Sequence, residues 1–487
     1  MITREDSTIP RHRTALTRTA FSKPIRQALA DSVITADATI LDYGCGRGSD
    51  VKRLQAAGHV AAGWDPEHAP QAQLTPAQVV NLGYVVNVIE TAAERVDALA
   101  RAWSLTERVL IVTARLKFDA LGQELTPFLD GYLTARGTFQ KFYDQTELRD
   151  WIAASLNTQP VAAAPGMFYV FRESADRESF VSSRHRRVGE TWSRYASERL
   201  FKEHRALFEA VLPFFCERGR LPSVNECASA AALYQSIPRL TFILECIEKL
   251  LGVEDYGTIV SERRQDLLVY LALSRFAKRP SLQRLPNDLQ LDIRSFFPCY
   301  QAACSAADEL LFAVGVRDRL EKAFQEAAVG KLTGNALYVH VSAIPRLPTL
   351  LRLYEGCARG YVGSVEGTTV VKLHRGKSQV SYLAYPRFDV DGHPVLVGSL
   401  VVDFRRLAVH YRDYSDQEDP PVLHRKELFV DVDYPRRDLF AALTRAEDSR
   451  GLLSGNTRIG SRGSWEAFLR DQGFTVRGHR LMRTRHV

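Results

Sequence analysis

Cysteine is scarce in this chain and never paired. Seven stand among 487 residues, at 45, 216, 227, 246, 299, 304 and 357, with no CxxC couple among them. That spacing argues against a finger-type or ribbon-type structural zinc. The odd, sparse set fits reduced thiols and a cytoplasmic protein. Long apolar runs are missing too. None approaches the ~20 residues a bilayer span requires. The opening MITREDSTIPRHRTALTR has no hydrophobic core, so no secretory leader is expected.

What the chain does contain is ordinary for a folded protein, with 45% hydrophobic and 25% charged residues. Its length suggests two to four domains, each able to bury a core without staples. The net charge of +7 permits a polyanionic partner but also simply aids solubility. The distribution says more. Basic residues gather at Arg11-His12-Arg13 with Arg18, at Arg184-His185-Arg186-Arg187, at His374-Arg375 with Lys377, at His424-Arg425-Lys426, and from Arg477 through His479, Arg480, Arg485 and His486. Such clusters are the electrostatic footprint of a nucleic-acid binder.

One stretch organises the first part of the chain. Residues 40–50 read ILDYGCGRGSD: a hydrophobic strand ending in Asp42, then Gly44, Gly46 and Gly48, then an amphipathic run from Ser49. Glycine lets a ligand lie against the backbone and tolerates positive φ. The free N–H groups of a helix start favour negative charge. A second short strand, 59–63, leads to Trp64-Asp65, and an acid about twenty residues after such a turn commonly holds ribose hydroxyls. A dinucleotide site would show G-x-G-x-x-G. Here the order is D-x-G-x-G-x-G, which resembles motif I of class I S-adenosylmethionine methyltransferases. The resemblance implies S-adenosylmethionine as cofactor, with Asp42 toward its methionine amino end and Asp65 on its ribose. It implies a cofactor-binding set of Asp42, Gly44, Cys45, Gly46, Gly48, Asp65, Pro66, Asn81 and Leu82. The bland alternative is a βαβ unit whose glycines only make a tight turn.

Taken in order, residues 1–38 form a basic arm and a helix over 22–32, with Pro24 in its first turn. The arm either touches a phosphate backbone or caps the sheet edge. Residues 39–175 alternate strands and helices and predict a mainly parallel, doubly wound sheet. A strand through Val80 is followed by a loop at 81–84 and a helix over about 90–102. Strands at 108–115 and 166–172 flank a helix opening near Gln145. The interval from Asp65 to Val79 is too short for the helix and third strand that such a fold carries, so a trimmed sheet is expected. Gln78 stands where an acid usually opens the motif IV strand. Neither an N-P-P-[YFW] tetrapeptide for exocyclic amines nor a Pro-Cys nucleophile occurs. Methyl transfer rests mainly on in-line positioning, so a missing base does not exclude it. Asn81 and Tyr84 are the candidate catalytic residues beside the transferred methyl. Asn81 alternatively satisfies a strand end, and Tyr84 alternatively belongs to the core. Cys45, inside the turn, suits close packing better than nucleophilic attack.

Residues 176–330 read as a helical domain, with apolar positions three and four apart over 200–218, 230–251 and 265–275 and no fixed-period repeat. Residues 331–487 read as an α+β basic module, with a helix over 350–358 and strands at 368–373, 380–384, 396–403 and 408–414. Two similar clusters stand on it: His374, Arg375 and Lys377, then His424, Arg425 and Lys426. Together with Arg11 and Arg13 they are the expected nucleic-acid-binding residues, because arginine offers phosphate a planar fork and the interleaved tyrosines can stack on bases. The alternative is solvated turns beside a small sheet. Metal binding by His374 or His424 is not expected, since their basic neighbours repel a cation.

The later motifs extend the resemblance. Arg11-His12-Arg13-Thr14-Ala15-Leu16, Gly63-Trp64-Asp65-Pro66, Asn81-Leu82-Gly83-Tyr84-Val85-Val86-Asn87-Val88-Ile89-Glu90, Tyr354-Glu355-Gly356-Cys357, Lys372-Leu373-His374-Arg375 and Tyr411-Arg412-Asp413-Tyr414 are similar to the DNA phosphorothioation-associated methyltransferase family. The resemblance implies a Rossmann-like class I methyltransferase sheet, followed by a helical domain and a C-terminal α+β module. It also implies a nucleic-acid acceptor, DNA before RNA, in bacterial DNA modification or phage defence. Two readings stand: a methyltransferase acting on nucleic acid, or a methyltransferase-like sensor or adaptor without turnover.

Overall fold

The computed structural model describes residues 9–15, 17–185, 205–237, 239–454 and 459–484. Leu16, Arg186, Arg187, Arg485, His486 and the start of the helix expected over 200–218 lie outside them. The chain divides into two units. The first comprises residues 1–173, 358–427 and 435–487; the second comprises 174–357 and 428–434.

The first unit opens with a short 3-10 turn, Arg11–Thr14, and helix α1 (Lys23–Ala30), which has Pro24 in its first turn. Then come β1 (Thr39–Tyr43), α2 (Ser49–Ala56), β2 (Val60–Trp64), β3 (Ala77–Gly83), α3 (Ala92–Ser104) and β4 (Thr106–Thr113). A small antiparallel sheet of β5 (Leu125–Phe128), β6 (Gly131–Thr134) and β7 (Phe139–Gln140) follows. Helix α4 (Gln145–Leu156) starts on a capping box in which Asp144 and Glu147 satisfy each other's backbone N–H groups. β8 (Val161–Ala164) and β9 (Met167–Phe171) finish this part.

The main sheet runs β2-β1-β3-β4-β9-β8. β1 to β4 are parallel, β9 pairs antiparallel with β4, and β8, antiparallel to β9, runs in the direction of β1 to β4 again. β3, β4 and β9 are nearly continuous runs of buried residues, as strands covered on both faces must be. Leu41, Val80, Leu82, Leu110, Val112 and Phe168 centre the core against Leu99 of α3 and Leu148 and Ile152 of α4. β2 is the sheet edge, and Val60 on it is 65% exposed. No described strand pairs beyond β2, so the expected trimming is real: the loop between Asp65 and Ala77 carries neither a helix nor a strand.

The strand expected to end at Val80 continues to Gly83. Its ladder to β4 extends through Asn81↔Ile111, Leu82↔Val112 and Gly83↔Thr113, so Asn81 and Leu82 are strand residues, not loop residues. Helix α3 begins at Ala92, after the expected start.

The second unit holds helices α5 (Ser174–Ser183), α6 (Arg205–Arg218), α7 (Ala228–Ser236), α8 (Leu240–Leu251), α9 (Val253–Ser274), α10 (Asn287–Phe296), α11 (Tyr300–Ala313) and α12 (Arg317–Gln325), then the hairpin of β10 (Lys331–Leu332) and β11 (Ala336–His340). The helix expected over 230–251 is two helices, α7 and α8. Two apolar clusters support the unit, one centred on Phe215, Ile243 and Ile247, the other on Leu271, Ile293 and Ala303. Between them Asp292 takes Arg218 and Arg220, at 2.7 and 2.6 Å. Helix α13 (Thr349–Val362) carries the chain back to the first unit.

There the antiparallel run β12 (Val370–His374), β13 (Gln379–Ala384), β14 (Gly398–Asp403) and β15 (Ala408–Asp413) is followed by α14 (Arg437–Asp448), α15 (Arg462–Asp471) and the hairpin of β16 (Phe474–Arg477) and β17 (Arg480–Arg483). Among the described residues no helix is long and apolar enough to cross a membrane.

Candidate functional site

Strand order reverses between β2 and β3 on either side of β1. The crevice at the carboxyl ends of β1 and β3 is therefore the topological switch point of the sheet, where open α/β sheets bind ligands. A cleft of about 1850 Å³ opens there.

Its floor is the glycine turn. Gly44, Gly46 and Gly48 have φ of +84°, +51° and +69°, a region that side chains rarely enter. At Gly44 space adds to conformation, because a Cβ would lie 2.4 Å from Cγ2 of Val85. The turn is tied to the end of β2. The N–H groups of Gly44 and Cys45 donate to the carbonyl of Trp64, at 2.8 and 3.0 Å. The N–H of Gly46 donates to Oδ2 of Asp65 at 3.0 Å, and Oδ1 of Asp65 accepts from the N–H groups of Glu67 and His68. Asp65 thus shapes the turn as well as facing the cleft. Cys45 packs against Gly63, where a Cβ would sit 3.0 Å from its sulfur. Burial and the nearby Asp42 and Asp65 push its thiol up to about 12, which leaves it a packing residue without thiolate character.

Asp42 and Asn81 form the wall. They are register partners across β1 and β3, and Nδ2 of Asn81 donates to Oδ1 of Asp42 at 2.8 Å. Both are buried. Burial pushes the Asp42 carboxyl up to about 7, against the pull of the Asn81 hydrogen bond. Oδ1 of Asn81 and Oδ1 of Asn87 are buried without a hydrogen-bond partner. Leu82 behaves oppositely. It alternates with Asn81 along the strand and lies fully buried in the core, so its expected place in the cofactor set does not hold for its side chain. Gly48 does not line the cleft; Pro66 does.

Tyr84 follows β3 at φ +61°, uncommon for a residue with a side chain and costly enough to cluster at functional sites. Its N–H donates to the carbonyl of Thr113 at 2.8 Å. It lines the cleft, and burial raises its hydroxyl pKa.

Sequence reasoning did not place Asn87, Gln140 or Trp64 in the site. Nδ2 of Asn87 donates to Oε1 of Gln140 at 2.8 Å, and both line the cleft. Trp64 lies 4.9 Å from the Tyr43 ring. Asn87 stands in the motif after β3, a usable signal; Gln140 comes from the small inserted sheet and had none.

The arm forms one rim of the cleft. Arg11 makes a bidentate contact to Glu90, at 2.8 and 2.9 Å, and a second to Glu94. That corrects its expected role on phosphate, because the guanidinium fork is filled by carboxylates. Arg13 is exposed.

The two C-terminal basic clusters differ. On the β12–β13 hairpin Nε2 of His374 lies 2.9 Å from the Ser381 hydroxyl. Burial with Lys372 and Lys377 brings its pKa down to about 4, while Lys377 is exposed at the tip. The second cluster points inward, which corrects its expected place on a nucleic-acid surface. His424 is buried, with its ring 4.7 Å from that of Trp465. Arg425 makes a bidentate pair with Asp448 at 2.9 and 2.7 Å. Lys426 is buried, and its Nζ donates to the carbonyls of Phe388 and Asp391 at 2.6 and 2.5 Å.

No family model and no curated protein matches this chain. Solved structures similar to it include CalS10, an amino pentose methyltransferase from Micromonospora echinaspora, at 16% identity over 35% of this chain and 100% of that one, with a TM-score of 0.24. Magnesium protoporphyrin IX methyltransferase from Synechocystis is 17% identical over 34% of this chain and 93% of that one, at 0.23. The 1,6-didemethyltoxoflavin-N1-methyltransferase of Burkholderia thailandensis is 15% identical over 31% and 77%, at 0.22.

Proposed function

We propose that this chain is an S-adenosylmethionine-dependent methyltransferase whose acceptor is carried on nucleic acid, DNA before RNA. The observation that carries the cofactor reading is the cleft at the switch point, where the glycine turn faces the buried Asp42–Asn81 pair. The residues fit the group. Two buried amide oxygens, on Asn81 and Asn87, lack donors, and a buried carboxyl at Asp42 awaits a cation, as the ammonium of a methionine moiety would supply. Asp65 keeps one lone pair, on Oδ2, for a ribose hydroxyl after its three backbone bonds. When bound, the cofactor supplies an electrophilic methyl on a sulfonium. Asn81 and Tyr84 are the residues of this chain proposed to orient the acceptor beside it.

For the acceptor, the resemblance in sequence implies DNA phosphorothioation as the setting. The exposed Lys377 on the β12–β13 hairpin and the exposed Arg13 support a phosphate contact. Carboxylates outnumber lysines and arginines along the cleft, which favours presenting a base or another uncharged group there and leaving the backbone outside. The uncovered β2 edge favours the second reading, an adaptor that binds without turnover. Transfer of labelled methyl from S-adenosylmethionine to DNA or RNA tests the first. Cofactor binding with no transfer to either would leave the adaptor. Nucleic-acid affinity that does not fall with added salt would remove the phosphate contact.

A further inference from the structure

The segments around residues 394 and 422 run antiparallel. Leu396 N–H donates to the Pro421 carbonyl at 2.9 Å, and Leu423 N–H donates to that of Pro394 at 3.1 Å. This pairing sets His393 beside His424, with ring centroids 4.4 Å apart. Glu447 reaches the same point from α14. One nitrogen of each histidine and one oxygen of Glu447 all lie within 4.8 Å of one another. The three come from sequence positions with no shared local motif, and all are in the first unit.

The cluster is dry. Glu447 has no exposed surface and His424 is 7% exposed. Oε1 of Glu447 lies 2.9 Å from Nε2 of His393, yet off the ring's N–H direction, and neither carboxylate oxygen accepts a hydrogen bond. A buried carboxylate without donors is costly, and such groups call for an explanation such as an ion.

We propose that His393, His424 and Glu447 form a divalent metal site of the zinc class that fastens the C-terminal segments of the first unit. Two imidazoles and a carboxylate are a donor set that zinc accepts. Donors in a tetrahedral site with bonds of about 2.0–2.1 Å lie roughly 3.3 Å apart. The observed 2.9 Å contact and the 4.8 Å limit bracket that spacing, so side-chain rotation closes the set. The burial of His424 and Glu447, with His393 partly buried, assigns the ion a structural role.

The surrounding charges are compatible. Arg425 is held by Asp448, and the Lys426 ammonium is held by two carbonyls and lies 2.7 Å from Nε2 of His479.

Trp465 makes the site distinctive. Its indole N–H donates to Nδ1 of His393 at 3.1 Å, which puts the imidazole proton on Nε2. Ligation through Nε2 moves that proton to Nδ1, and the indole loses its acceptor. Trp465 therefore opposes loading.

The test uses the full chain. Its metal content is measured as purified; it is then stripped with a chelator and titrated with Zn²⁺ and with Co²⁺. One equivalent is expected to bind. The Co²⁺ form is expected to show visible ligand-field bands without the thiolate charge-transfer band that a cysteine ligand would add. Glu447→Gln and His424→Asn are expected to weaken binding at least tenfold, and Trp465→Phe to tighten it. Circular dichroism checks that each variant folds; if Glu447→Gln does not, the Co²⁺ spectrum of the parent chain decides. Absence of binding by the folded chain, unchanged affinity in folded Glu447→Gln, or a thiolate charge-transfer band would each overturn the proposal.

Discussion

Asn81 donates a hydrogen bond to Asp42 across the two central strands, 2.8 Å from Nδ2 to Oδ1. The pair exists because β1 and β3 are register neighbours at that level. It places a buried carboxyl in the wall of the cleft, and a pH dependence of the fold follows from it.

The folded Asp42 carboxyl titrates near 7, above its ordinary value of 3.8. Between those values the folded chain binds more protons at this group than the unfolded chain does. Its stability contribution is therefore present below about 4 and is lost as pH rises through 7. Asp42→Asn is expected to remove that slope, leaving the variant more stable than the parent at pH 8 by on the order of 4 kcal/mol and similar to it at pH 4. Urea unfolding of both proteins at the two pH values checks this. A parallel pH dependence in the two would contradict it.

Lys426 has the opposite sign. Burial lowers its pKa from 10.5 to about 7. Here the folded chain binds fewer protons than the unfolded chain between those values, so stability rises with pH across that window and is lost as pH falls through 7. Lys426→Met is expected to flatten the rise. Thermal unfolding of parent and variant at pH 7 and pH 10 measures it.

Gly44→Ala and Gly58→Ala separate space from conformation. Both glycines have positive φ, but only Gly44 faces an obstacle, Val85 at 2.4 Å. Gly58→Ala is expected to cost about 1 kcal/mol through backbone strain alone. Gly44→Ala is expected to cost more, roughly 2–3 kcal/mol with the clash included. Denaturant midpoints compare the two, and equal losses would count against the close approach of Val85 to the turn.

Arg11→Ala is expected to leave nucleic-acid affinity unchanged, because Glu90 and Glu94 already occupy the guanidinium. Its stability cost should stay within about 1 kcal/mol, as for other part-exposed ion pairs. Lys377→Ala is expected to weaken binding and to lower the salt slope by about 1. Fluorescence anisotropy with labelled duplex DNA over a salt series distinguishes them.

The glycine turn was legible in sequence because its constraint is local: three positive-φ positions between a strand and a helix select glycine whatever surrounds them. Asp42 and Asp65 were legible from their spacing to that turn. The end of β3 was not, because Asn81 to Gly83 continue as strand only through their ladder to β4. The Leu82 side chain followed from that error. The His424–Lys426 cluster reads in sequence as a phosphate-binding basic cluster, with a solvated turn as the alternative. Its inward direction depends on Asp448, on the carbonyls of Phe388 and Asp391, and on the ring of Trp465, all remote along the chain. His393 carries no local signal at all; only the antiparallel pairing near Pro394 and Val422 brings it to His424.

Calorimetric titration of the full chain with S-adenosylmethionine, beside the folded Gly44→Ala variant, tests the central claim most directly. The account expects saturable binding to the parent chain, strengthening from pH 6 to pH 8 as Asp42 ionises, and marked weakening in the variant. No binding to the parent chain, or equal binding in both proteins, would contradict a cofactor site at the glycine turn.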